Sequence, residues 1–118
     1  MRMLSTDILK VLSSGFSAII IEGISTFTLK NVQIKNSNCL SELCLGGALA
    51  ILNSNGIISS SYFSNNQCKS NGGAIGMANL NGNTIISQTT ITNNTSSNGN
   101  GGGISSASSL NSCVLTIS

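Results

Sequence analysis

The chain has 118 residues, enough for one domain at most. Only 7% of them are charged and 3% aromatic, with no Trp and no Pro, while 40% are hydrophobic; a typical globular domain is roughly a quarter charged. Core-forming Ile, Leu, Val and Ala alongside so little charge exclude intrinsic disorder, and a net charge of +2 spread over Arg2, Lys10, Lys30, Lys35 and Lys69 makes no basic stripe for nucleic acid.

Residues 1–13 admit two readings. Met3, Leu4, Ile8, Leu9 and Leu12 fit one face of a short capping helix begun at Ser5 or Thr6, or the segment is a degenerate coil of the repeats that begin after it. Asp7 and Lys10 interrupt any secretory signal core. The longest apolar run, Ala18-Ile19-Ile20-Ile21, is of strand length and far below the roughly 18 residues of a membrane helix, so no membrane-spanning segment is expected.

From residue 14 to 118 two linked elements repeat. Thr28-Leu29-Lys30-Asn31-Val32-Gln33-Ile34-Lys35-Asn36-Ser37 aligns with Ile57 to Asn66 and with Ile85 to Asn94. Gly46-Gly47-Ala48-Leu49 returns as Gly72-Gly73-Ala74-Ile75 and as Gly101-Gly102-Gly103-Ile104, at spacings of 26 and 29 residues. Within each copy the apolar positions alternate with period two, the mark of a pleated strand. Across copies they form columns: Leu49/Ile75/Ile104, Leu29/Ile58/Ile86/Leu115 and Ile34/Phe63/Ile91. Stacked about 4.8 Å apart, such columns bury a continuous core that no single repeat could bury alone. Asn53-Ser54-Asn55-Gly56, Asn79 to Asn83 and Ser96 to Asn100 supply turns, since Asn and Gly accept positive φ. The paired glycines suit corners that need unusual torsions or a close approach to the next coil. The absence of Pro suits strands that donate to neighbours on both sides. The expected fold is therefore all-β, a right-handed parallel β-helix of about three to four coils. Because the chain stops inside the strand-like Val114-Leu115-Thr116-Ile117-Ser118, it is expected to be part of a longer array.

Gly-Gly-Ala-Ile at 72–75, taken with Phe63-Ser64-Asn65-Asn66, a Phe-x-x-Asn, resembles the paired repeats of the polymorphic outer membrane proteins of chlamydiae. It is also similar to pectin-lyase-like β-helix repeats in large microbial surface proteins. The resemblance covers roughly residues 28–118. In the other copies Ile91 stands for the Phe and Ser37 for the Asn. It implies a parallel β-helix displayed outside a cell or at its surface, often as an adhesin-like stalk.

Enzymes exist among pectin-lyase-like folds, so the residues must be tested for chemistry. Polysaccharide hydrolysis needs paired carboxylates, and lyases of this class use acidic Ca²⁺ ligands with a basic proton acceptor. The acids here are Asp7, Glu22 and Glu42; no two share a column, and there is no His. Asn oxygens alone hold Ca²⁺ weakly, and Ser without a base is inert. No catalytic, cofactor-binding or metal-binding residue is expected. Cys39 and Cys68 fall in one register, five residues after Ile34 and Phe63, whereas Cys44 and Cys113 have no counterpart. The cysteines read as small apolar filler, or as a disulfide between Cys39 and either Cys68 or Cys44; zinc ligation lacks Cys-x-x-Cys spacing. The sequons Asn93-Asn94-Thr95 and Asn94-Thr95-Ser96 fall at an expected turn. Two functions remain: a structural or adhesive module of a larger surface protein whose partner is a host or matrix protein or a glycan, and a carbohydrate-binding β-helix. The latter would use exposed aromatics, of which Tyr62 is the one offered, facing opposite to Phe63. Thr89, Thr90 and Thr92 are confined to one coil and form no ice-binding ladder.

Overall fold

The computed structural model describes residues 5–6, 9–11, 14–15, 17–23, 26–41, 44–78, 83–99, 101–107 and 114–117. The described residues are all-β, in four sheets of parallel strands that the chain visits in turn. The first circuit runs β1 (Ser5–Thr6), β2 (Leu9–Val11), β3 (Ser14–Gly15) and β4 (Ile19–Glu22). The second is β5 (Phe27–Lys30), β6 (Val32–Lys35), β7 (Asn38–Cys39) and β8 (Leu49–Leu52). The third is β9 (Gly56–Ser59), β10 (Tyr62–Ser64), β11 (Gln67–Cys68) and β12 (Ile75–Ala78). The fourth is β13 (Asn83–Ser87), β14 (Thr90–Thr92), β15 (Thr95–Ser96) and β16 (Ile104–Ala107), followed by β17 (Val114–Ile117). Each strand pairs in parallel with its counterpart one circuit away. The resulting sheets are A (β1-β5-β9-β13-β17), B (β2-β6-β10-β14), C (β3-β7-β11-β15) and D (β4-β8-β12-β16).

The apolar columns set this register. Leu49 pairs with Ile75 and Ile75 with Ile104; Ile34 pairs with Phe63 and Phe63 with Ile91; Leu29 pairs with Ile58 and Ile58 with Ile86. Their side chains meet in one core, from which water is excluded at Leu29, Ile34, Leu49, Ile58, Phe63 and Ile75. Tyr62, on the other face of β10, is exposed. One column departs from expectation: Ile86 pairs with Ile117, and Leu115 pairs with Thr84. The shift is by two residues, so the alternation that decides which face turns inward is kept. Of the two readings of residues 1–13, the described part fits the degenerate coil and not the capping helix, while Met3, Leu4, Ile8 and Leu12 lie outside the described residues. Residues 5–6 and 9–11 are strands, with Leu9 opposite Val32 and Val11 opposite Ile34. A period of two that meets an existing ladder prevails over a marginal helix shorter than about 12 residues.

The corners rest on left-handed residues that recur circuit after circuit. Asn31, Ser60 and Gln88 turn the chain from sheet A to sheet B, and Asn36, Asn65 and Asn93 turn it from B to C, all with φ between 48° and 59°. Asn takes this region at little cost; Ser and Gln do so only where the surrounding ladder over-determines them.

Candidate functional site

The two repeated motifs lie side by side on the third circuit. Phe63 fills the interior from β10. Three residues later Asn66 is also fully buried, and it works as a tie between circuits. Its Oδ1 accepts from the Ser37 N–H at 3.0 Å, and its Nδ2 donates to the Ile34 carbonyl at 3.1 Å. Asn94 repeats the arrangement one circuit on: its Oδ1 accepts from the Asn66 N–H at 2.9 Å and its Nδ2 donates to the Phe63 carbonyl at 3.1 Å. The two amides also bond each other, Asn66 Nδ2 to Asn94 Oδ1, at 3.0 Å. The motif Asn thus satisfies backbone groups that the B-to-C corner takes out of the ladder, as buried polar groups require. Where the second circuit has Ser37 instead, its hydroxyl donates to the Gly47 carbonyl at 2.5 Å.

The paired glycines meet both needs foreseen for them. Gly72 and Gly101 have φ of 74°. At the second glycine of each pair the backbone of the next circuit passes too close for a side chain: a Cβ on Gly47 would overlap the Gly73 carbonyl, and one on Gly73 the Gly102 carbonyl. This proximity lets the Gly47 N–H donate to the Gly72 carbonyl at 2.9 Å and the Gly73 N–H to the Gly101 carbonyl at 3.0 Å. The carbonyl of Ala74 accepts from both Ala48 and Leu49, and that of Gly103 from both Ala74 and Ile75. These donors are used between circuits rather than turned toward a ligand, as a phosphate loop would require.

Three cysteines gather where sheet C meets the connection from β7 to β8. Cys39 and Cys68 are register partners on β7 and β11, as their spacing implied. The bond, however, is between Cys44 and Cys68, with Cα atoms 6.0 Å apart, and Cys39 is a buried free thiol. The expected pairings with Cys39 are therefore corrected. Cys44 reaches Cys68 because the connection 40–48 is longer than its counterparts 69–74 and 97–103, and it folds back over the third circuit. The Cys44 N–H donates to the Ser41 carbonyl at 3.0 Å, and the backbone at Leu45 crosses β12 so closely that position 76 has room for Gly alone. All three sulfur atoms lie within 4.8 Å of one another. A thiophilic cation would need the three as free thiolates, and the disulfide engages two of them. Cys113 lies outside the described residues.

Among the described residues, the other singled-out side chains do not converge. Glu22 ends β4, exposed, while Asp7 and Glu42 are outside the described residues. Lys30 and Lys35 are exposed at the ends of β5 and β6. Of the two sequons, Asn94 spends its amide on the circuit tie, leaving Asn93, which is exposed, as the accessible one. Tyr62 borders a shallow outer groove with Asn31, Gln33, Ser60 and Gln88. This groove was not foreseen; it forms because the left-handed corners of sheets A and B stack into a notch. No helix among the described residues is long and apolar enough to cross a membrane.

Residues 60–76 match the Chlamydia polymorphic membrane protein repeat. The match runs from Ser60 at the A-to-B corner, through Phe63, Asn66 and the glycine pair, to Gly76 under the long connection. No curated protein and no solved structure matches the chain.

Proposed function

We propose that the chain is a non-catalytic module of a cell-surface or secreted protein, a right-handed parallel β-helix that presents its outer faces while its motifs hold the circuits in step. The observation that carries the reading is the coincidence of the matched repeat with the circuit-to-circuit ties at Phe63, Asn66 and Gly73. Motif residues turned inward serve construction, so binding falls to the variable outer positions. The right hand follows from the near-universal handedness of crossovers between parallel strands. The absence of catalysis is supported by a sequence with no His and three scattered acids. The module is tested by labelling intact cells that express the full protein with an antibody against this segment. Labelling without permeabilisation is expected; labelling only after permeabilisation contradicts surface display.

A second reading, glycan binding, is favoured by the groove beside Tyr62, where one aromatic face stands among the amides of Asn31, Gln33 and Gln88. Binding on a glycan array that Tyr62→Ala abolishes would establish it, and an array with no signal would remove it.

A further inference from the structure

We propose that Cys39, Cys44 and Cys68 share a single disulfide that exchanges between two pairings, Cys44–Cys68 as in the structure and Cys39–Cys68. Three observations meet at this point. The sulfur atoms of all three residues lie within 4.8 Å of one another. Cys39 and Cys68 are direct register partners on adjacent parallel strands, whose spacing of about 4.8 Å falls inside the Cα range a disulfide tolerates. Cys39 is a free thiol, buried beside a bond it can attack.

The exchange needs no outside oxidant. The Cys39 thiolate attacks the Cys68 sulfur; the Cys39–Cys68 bond forms as the Cys44–Cys68 bond breaks. The electron pair leaves on the Cys44 sulfur, which takes up the proton that Cys39 gave away. One disulfide and one thiol stand on each side of the step. The two forms differ in what they hold. The Cys44–Cys68 bond clamps the connection 40–48 over the third circuit, above Gly76. The Cys39–Cys68 bond staples β7 directly to β11 and releases the connection, including Leu40, which is already 59% exposed, together with the Cys44 thiol. The surface that a partner meets beside sheet C therefore depends on which pairing is populated.

The test uses the full chain carrying Cys113→Ser, so that the trio alone contributes. After equilibration for hours, the timescale of uncatalysed disulfide rearrangement, free thiols are trapped with N-ethylmaleimide and non-reduced peptides are mapped by mass spectrometry. Both pairings are expected, the minor one in about one chain in a hundred or more, with the trapped thiol moving from Cys39 to Cys44 accordingly. Cys44→Ser in the same background, oxidised with glutathione disulfide, is expected to form Cys39–Cys68. Cys44–Cys68 alone in the parent chain, with no label at Cys44, would overturn the proposal. So would free thiols at both Cys39 and Cys68 in a Cys44→Ser chain whose circular dichroism matches the parent.

Discussion

The third and fourth circuits carry the same motifs and differ in how well those motifs are covered. Phe63 on β10 is fully buried, whereas its column mate Ile91 on β14 is half-buried. Ile75 is fully buried, whereas Ile104 is half-buried. The exception is instructive: β13, in the fourth circuit too, is flanked by both β9 and β17, and there Thr84 and Ile86 are buried. Among the described residues, β14, β15 and β16 each have a strand on one side. In the fourth circuit burial thus follows the strands stacked on each position, although β4, flanked on one side as well, keeps Ile19 and Ile21 fully buried. At β14 and β16 the motif supplies the shape, and a strand on one side leaves its apolar residues half-buried.

The widest test of that contrast is the Ile34/Phe63/Ile91 column. Phe63→Ala empties a site closed on all sides and should cost about 4 kcal/mol, whereas Ile91→Ala should cost less than half of that; urea denaturation of the two variants measures both. Equal losses would mean that both circuits are equally covered. The circuit tie comes next. Asn66→Ala strands the Ser37 N–H and the Ile34 carbonyl in the interior, an expected loss of about 3 kcal/mol, while Asn94→Ala, half-buried, should lose about 1 kcal/mol.

The glycine pair sharpens the comparison further. Gly73→Ala drives a Cβ into the Gly102 carbonyl and should cost about 2 kcal/mol, while the nearest atom to a Cβ on Gly102 is the Asn94 carbonyl oxygen at 3.3 Å, so Gly102→Ala should cost about 1 kcal/mol or less. The smallest effect is expected at Thr84, whose hydroxyl is buried without a hydrogen-bond partner. Thr84→Val keeps the shape and removes that cost, and should raise stability by about 1 kcal/mol, read as a higher urea midpoint.

Much of this architecture was legible in the residues themselves. Period-two alternation and vertical columns suffice to place Ile34, Phe63 and Ile91, or Leu49, Ile75 and Ile104, on one inward face in one register. The parts that were hidden have physical reasons. Ser60 and Gln88 hold left-handed corners although neither favours positive φ by itself; the ladder on each side imposes the torsion, and at this corner Asn31 gives the local hint. Sheet C is made of two-residue strands, too short to show any period. The step from Leu115 to Ile117 follows from the length of chain between β13 and β17, which the apolar pattern does not count. Gly56 reads as a turn residue but begins a strand, at a position that needs Gly because a Cβ there would collide with the ring of Phe27 from the circuit below. The pairing of Cys44 with Cys68 was missed because Cys44 lies off the repeat, on the connection that distinguishes the second circuit from the others.

The stacking of parallel circuits is tested most directly by nuclear Overhauser contacts at β10 in isotope-labelled protein. Parallel register places Phe63 beside Ile34 on one side and Ile91 on the other, so contacts between α and amide protons are expected to link position 63 to both strands, with side-chain contacts along the column. Strong contacts between α protons across paired strands, the signature of the closely spaced antiparallel pair, would contradict it.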